Sequence, residues 1–293
     1  MEEAQDVNEK FYTPVECDSF KRFLSEVDGK INQGWIFRGC EDASWSLEHS
    51  LERTCDRFNV FGDDRIRVEN GMIREFKRRL HQYTANIPSE DASDEWFALM
   101  QHHGAPTRLL DFTYSPYVSG YFAFERAKAN TPVAIWAVES GWFSNQLKHI
   151  SKKLDIEYRQ YTESREHYGQ NFDYIFRSEK PKKLLLTINP FRLNERLAYQ
   201  RGVFLCPGDV SVSLVENLST YGNLKELANH IVKYTIRTGP DNKETIETLT
   251  YLDTMNISRI TLFPGLDSFA QSFAPRTRSL FFKQYHPREP KSR

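Results

Sequence analysis

Helix signals, from apolar spacing or from caps, open with four stretches in the first half of the chain. In CDSFKRFLSEV, Phe20, Phe23, Leu24 and Val27 follow an Asp-Ser cap and predict a helix. In IRVENGMIREFKRRLHQY, Met72, Ile73, Phe76, Leu80 and Tyr83 fall near i, i+4, i+7 and i+11, the stripe of an amphipathic helix. SDEWFALMQHHG reads as a third, with Ser93 or Asp94 as cap, Asp94 and Glu95 suited to the dipole, and Gly104 as its stop. SPYVSGYFAFERAKA places Ser115 at an N-cap and Pro116 at the first helical position.

Between these lie short apolar runs that read as strands. Trp35, Ile36 and Phe37 make one, ending at Arg38-Gly39. TRLLDFT, PVAIWAV and KKLLLTINP are three more, the last closed by Pro190. NERLAYQRGVFLCPG reads as a turn or short helix leading into a strand over 202–205. SWSLEHSLERT reads as a loop anchored by Leu47 and Leu51. LKELANHIVKYTIR reads as a helix, with a strand at its end as the alternative. NKETIETLTYLDTMNI predicts a helix with Ile246, Leu249 and Leu252 on one face. SRITLFPGLDSFAQSF predicts a short strand or turn and then a final helix. Residues 141–183 turn polar and read as an insertion or helical excursion, and 274–293 form a basic tail. The pattern predicts one α+β domain over 1–293, core about 17–272, with helices gathered around a mixed sheet.

Composition narrows the class. The 293 residues suffice for a sizeable core, and an aromatic share of 14% suits a strand-rich one. A net charge of −1 argues against a basic footprint over the whole surface, though not against a local patch. The four cysteines, Cys17, Cys40, Cys55 and Cys206, are scattered, which predicts a reducing, cytoplasmic setting. The acidic, polar start does not resemble a signal peptide, and no run approaches the roughly 20 apolar residues of a membrane span, so no membrane partner is expected. Neither a zinc-finger spacing nor HExxH is present, and no metal is expected. GxGxxG, GxxxxGK[ST] and GxSxG are absent too, which removes support for Rossmann, P-loop and α/β-hydrolase readings.

Candidate chemistry gathers in two places. Arg38 closes an apolar strand and is costly there unless paired, either in a structural salt bridge or as a fork for phosphate or carboxylate. Gly39 beside it suits close backbone approach by a ligand. In HHGAPTRLLDFTYSP, Arg108 and Asp111 face opposite sides of a strand and need separate partners. Arg38 is the expected partner of Asp111, and a carboxylate such as Glu75 or Glu52 that of Arg108. His102 and His103 point apart, one toward the core and one, taken as His103, toward a cleft. Thr113 and Ser115 open the next helix, where capping and anion binding both fit. Gln200 precedes an apolar strand as a turn residue or a substrate contact.

Taken in order, FRG (37–39), SLER (50–53), QHHGAPTRLLDFT with YFAF, RLAYQRGVF (196–204) and NISRITLFPGLDSFA (256–270) resemble the FRG domain family, over roughly residues 17–272. The order is also distantly similar to that of ADP-ribosyltransferases, which carry an Arg or His on a first strand, a Ser/Thr-rich strand end entering a helix, and a late Glu. Arg38 matches the first block, and Thr113, Ser115 and SGYFA the second. Gln200 departs from the third, and Glu195 lies five residues upstream. This resemblance implies an NAD-dependent mono-ADP-ribosyltransferase, an intracellular toxin or phage-defence effector that modifies a protein or RNA and is met by an antitoxin. It implies catalytic roles for Arg38, His103, Asp111 and Gln200, and NAD contacts from Arg38, Gly39, Arg108, Thr113 and Ser115. The alternatives are a non-catalytic nucleotide- or nucleic-acid-binding module, with Arg38, Arg108 and Arg201 on phosphates, and an interaction protein with a structural Arg/Asp network.

Overall fold

Strands β1 (Thr13–Cys17), β2 (Trp35–Cys40), β3 (Leu110–Thr113), β4 (Val133–Glu139), β5 (Leu185–Ile188), β6 (Gly202–Pro207) and β7 (Ile231–Ile236) form one sheet in the order β1-β7-β4-β2-β3-β6-β5. This computed structural model describes residues 10–154, 168–177, 180–190 and 195–273. The β1–β7 pair is parallel and the others are antiparallel, so the sheet is mixed and the α+β expectation holds.

Both faces of the sheet are covered. Along β4, Ala134, Trp136 and Val138 enter one core cluster, while Val133, Ile135 and Ala137 enter the other. That alternation is why PVAIWAV is apolar at every position: neither face meets water. Burying each of the larger side chains contributes roughly 1.5–3 kcal/mol before the entropy cost of ordering it. Helices α1 (Phe20–Val27) and α5 (Pro116–Phe124) and the helix Lys243–Thr254 cover one face. Helices α3 (Asp63–Leu80), α4 (Ser93–His102), α6 (Ser140–Leu154) and the helix Tyr168–Phe176 cover the other.

Several expectations change here. SLERTCDR forms helix α2 (Ser50–Arg57) rather than a loop, N-capped by the His49 side chain, with Leu51 and Cys55 buried. Its polar composition hides a one-sided apolar contact. Strand β1 has no counterpart in the sequence reading, because TPVEC is short and mostly exposed along an edge. In LKELANHIVKYTIR the helix is shorter than expected, one turn at Leu224–Leu227, and the strand at its end is β7. In Lys243–Thr254 the buried face is Thr245, Thr248 and Leu252, and Ile246 points outward. Of the strand and the turn that 259–262 left open, the chain takes the turn, as one turn of helix. Tyr83 lies past the end of α3 and is exposed. Within 141–183, Phe143, Leu147, Phe172, Ile175 and Phe176 are core residues, and the helical reading fits the described part. Residues 155–167 and the expected tail at 274–293 lie outside the described residues.

Candidate functional site

A gap in the sheet makes the site. The β2–β3 ladder holds at a single pair, Phe37 with Thr113, whereas the flanking β2–β4 ladder runs for the full length of β2. Beyond Phe37 a cleft of about 510 Å³ opens, lined by Phe37 to Glu41 on one side and Asp111 to Thr113 on the other. The guanidinium of Arg38 bridges the gap, with Nη1 donating to the Asp111 carbonyl oxygen at 2.8 Å. The expected Arg38–Asp111 link therefore exists, but through the backbone. The Asp111 carboxylate is exposed and accepts from Gln101 Nε2 at 2.9 Å.

Thr113 ties three elements at the floor. Its Oγ1 donates to the Gln200 carbonyl at 2.7 Å and accepts the Ser115 N–H at 3.0 Å. Gln200 sits between the helical turn Glu195–Tyr199 and β6, and Arg201 after it takes a left-handed φ of 47° that turns the chain into the strand. The Gln200 side chain is buried in the cleft wall, with Nε2 donating to the Leu262 carbonyl at 3.0 Å.

The cleft carries more cation than its carboxylates neutralise. Arg38, Arg126, Arg196 and Arg259 line it with Glu41, Asp111 and Glu125. Arg259 is paired with Glu125, which also accepts from the Tyr121 hydroxyl at 2.9 Å. No described carboxylate pairs with Arg38, Arg126 or Arg196. Aromatic faces stand between these charges. Arg196 and Arg259 lie 4.7 and 5.0 Å from the Phe263 ring centre, and Phe122 meets Phe263 edge-on. Trp45 forms the outer wall, and its loop is fixed by Lys233, whose Nζ donates to the carbonyls of Ala43 and Trp45. Guanidinium groups beside flat apolar rings suit a ligand with phosphates and a base.

A second hollow of about 440 Å³ adjoins the first and shares Arg196 and Phe263 with it. His102, Glu195 and Asp267 line it. The His102 Nδ1 is buried with no hydrogen-bond partner among the described residues. Burial, then His103 and Arg196, push this imidazole below its ordinary value, so it is neutral near pH 7.

The predicted residues thus divide. Arg38, Gly39, Asp111, Thr113 and Gln200 line the cleft. His103 does not: it ends α4, exposed, and its neighbour His102 faces the second hollow. Ser115 caps α5 by accepting from the Val118 N–H, and it too lies outside the lining. Gly39 is explained by α5 rather than by a ligand, since a Cβ there would run into the Ser119 carbonyl and the Ala123 amide.

Arg108 lies away from the cleft. It is 2% exposed and pairs with both oxygens of Glu69, not Glu75 or Glu52, while Nη1 donates to the Gly208 carbonyl at 3.0 Å. A second charged cluster lies near it, between α2 and α3. Arg65 pairs with Asp56 and lies 3.8 Å from Glu52, and His49 Nε2 lies 3.7 Å from Glu52. Burial, then the charges of Arg108 and Arg65, push His49 down to about 3, so its imidazole stays neutral. Burial and then Glu48 push the Glu52 carboxyl up to about 7. Arg201 is exposed and outside the lining.

Sequence reasoning missed Trp45, Phe122, Glu125, Arg126, Arg196, Arg259 and Phe263. The i, i+3, i+4 spacing of Phe122, Glu125 and Arg126, at the C-terminal end of a helix that begins beside a strand end, was the available signal.

Among the described residues no helix is long and apolar enough to cross a membrane, and no group of three or more His, Cys, Asp or Glu is placed to hold a metal ion. No curated protein and no solved structure matches the chain. The family model of the FRG domain matches residues 33–131, from the start of β2 to the approach to β4. The match contains Arg38, Gly39, Asp111 and Thr113, and the later blocks around Gln200 and Phe263 fall beyond it. With the paired strands β2 and β3 and helix α5 between its limits, the span that frames most of the cleft is the part of the chain that resembles the FRG domain, at residues 33–131.

Proposed function

We propose that the cleft binds NAD and transfers its ADP-ribosyl group to an acceptor. The observation that carries this reading is convergence: Arg38, the β3 pair Asp111 and Thr113, and Gln200, from three separate parts of the sequence, share one cleft. In this reading Arg38, Arg126 and Arg196 grip the pyrophosphate, and the faces of Trp45, Phe122 and Phe263 take a base. The bond from ribose C1′ to nicotinamide breaks, leaving positive charge on the ribose. Asp111 is an exposed carboxylate on the cleft wall and is suited to stabilise that charge or to take the acceptor's proton. Nicotinamide leaves and the acceptor bonds to C1′.

Incubation with labelled NAD and candidate protein and RNA acceptors tests the reading. Label transfer or nicotinamide release is expected, and both disappear in Arg38→Ala. If the native protein does neither and is indistinguishable from that variant, the transferase reading fails. A second reading, nucleotide binding without turnover, is favoured by Gln200: it is an uncharged amide whose Nε2 is already engaged by Leu262. Calorimetric binding of NAD with no nicotinamide release selects it.

A further inference from the structure

A second charged concavity lies apart from the cleft, on the outer side of α3. It is a groove of about 550 Å³ lined by Arg67, Asn70, Gly71, Ile73, Arg74, Lys77 and Arg177. Four cations and no carboxylate line it. On α3 the positions 67, 70, 74 and 77 recur at three and four residues and so form one stripe along the helix. At 1.5 Å per residue the stripe is about 15 Å long.

The cations differ in how far they are committed. Arg74 is exposed, and no described residue pairs with it. Among the described residues Arg67 pairs with Asp64 alone, 2.9 Å away and outside the groove lining. Lys77 donates to the Glu90 carbonyl at 2.8 Å and stands over the Trp96 ring, so its position is fixed. Arg177 bonds Asp173 and, through Nη2, the Asn70 side-chain oxygen at 3.1 Å, which turns the Asn70 amide into a donor. The Arg177 Nε is buried and has no acceptor among the described residues. Asp64, Glu90 and Asp173, the carboxylates of these pairs, all lie outside the lining.

We propose that this groove binds the phosphate backbone of a single-stranded nucleic acid. A linear row of fixed and free cations along about 15 Å matches an extended polyanion better than one compact anion. The groove has no aromatic lining residue, so contact falls on phosphates and base sequence is not read. This goes beyond the cleft's proposed activity and does not depend on it.

The test is fluorescence anisotropy of the full chain with a labelled 12-nucleotide RNA of mixed sequence, over a salt series. Contact from all four lining cations predicts a log–log salt slope of about −2.8. The double variant Arg67→Gln/Arg74→Gln is expected to bind at least about tenfold more weakly, with a slope shallower by about 1.4. Arg78→Gln/Arg79→Gln removes two exposed cations of α3 that lie outside the groove, and it is expected to bind like the native chain. Arg38→Ala is expected to bind alike as well. Absence of salt-dependent binding overturns the proposal, and so does equal loss in the two double variants. Loss in Arg38→Ala alone assigns the RNA to the cleft and also overturns it. Vesicles containing phosphatidylserine form the last arm: binding there without RNA binding makes the groove a membrane contact instead.

Discussion

Arg108 and Arg38 flank the same strand, β3, and end in opposite circumstances. Arg108 is sealed in the interior, and all three of its nitrogens donate, to the two oxygens of Glu69 and to main-chain carbonyls. Arg38 spends one nitrogen on the Asp111 carbonyl and turns the rest toward an open cleft that also holds Arg126 and Arg196. In the first region each charge exists to satisfy another, so removing one leaves a buried orphan. In the second the charges outnumber their partners, which is an arrangement that folding alone does not need. Charge near a strand says little about function. Whether its partners lie within the chain says much more.

The largest effect is expected where the buried pair is broken. Glu69→Gln leaves the Arg108 guanidinium charged and sealed, and it should cost about 3–5 kcal/mol in urea denaturation. A cost below about 1 kcal/mol would place Arg108 in contact with water and erase the contrast.

Next comes Gly39, which lines the cleft beside Arg38 and packs against α5. Gly39→Ala drives a Cβ into the backbone of α5 and should cost about 3 kcal/mol by thermal unfolding. Gly71→Ala is the matched control: in mid-helix, with nothing near its missing Cβ, it should stabilise by about 0.5–1 kcal/mol. If both variants behave alike, helix packing does not explain Gly39.

The network also predicts a pH dependence. Glu52 holds its proton more tightly folded, near 7, than unfolded, near 4.5. Its contribution is therefore present below about 4.5 and is lost as pH rises through 7, on the order of 2 kcal/mol. Asp94, raised to about 6 mainly by burial, acts in the same direction. His49, lowered to about 3, acts oppositely, since stability is lost as pH falls below 6.5. Denaturation of Glu52→Gln beside the native chain from pH 5 to 8 isolates the first term. The variant's stability relative to native should rise across that range, and a constant gap would remove Glu52 from the account.

The sequence made some of this visible. Strands β2 and β4 and helices α1, α3, α4 and α5 were legible because each has a strong period or cap, as Ser19 and Ser115 show by accepting from Arg22 and Val118. Edge strand β1 was not, and at 195–199 the reading left a turn or a short helix open, because such short elements gain their stability from tertiary neighbours rather than from local pattern. At the site, Arg38, Asp111, Thr113 and Gln200 could be picked out by their placement beside strand ends. The choice of His103 over His102 failed because adjacent helical positions are separated by about 100°, and only packing decides which one faces in. Glu69 was missed as the partner of Arg108 because 39 residues separate them and no local rule joins them.

The smallest effect on stability is expected at Arg38 itself, and there the comparison can be closed. Arg38→Ala removes one hydrogen bond to a carbonyl at the edge of a cleft, which water can replace, so the loss should be about 1 kcal/mol or less. Nucleotide binding, measured by calorimetry with NAD, should fall at least about tenfold in the same variant, because the bridging guanidinium is one of three unpaired cations there. Arg38→Lys should restore the charge without the fork and recover little of that binding. A variant that unfolds like Glu69→Gln would place Arg38 with Arg108 among the structural charges. One that keeps both its fold and its ligand would leave the cleft's excess of cations to Arg126 and Arg196.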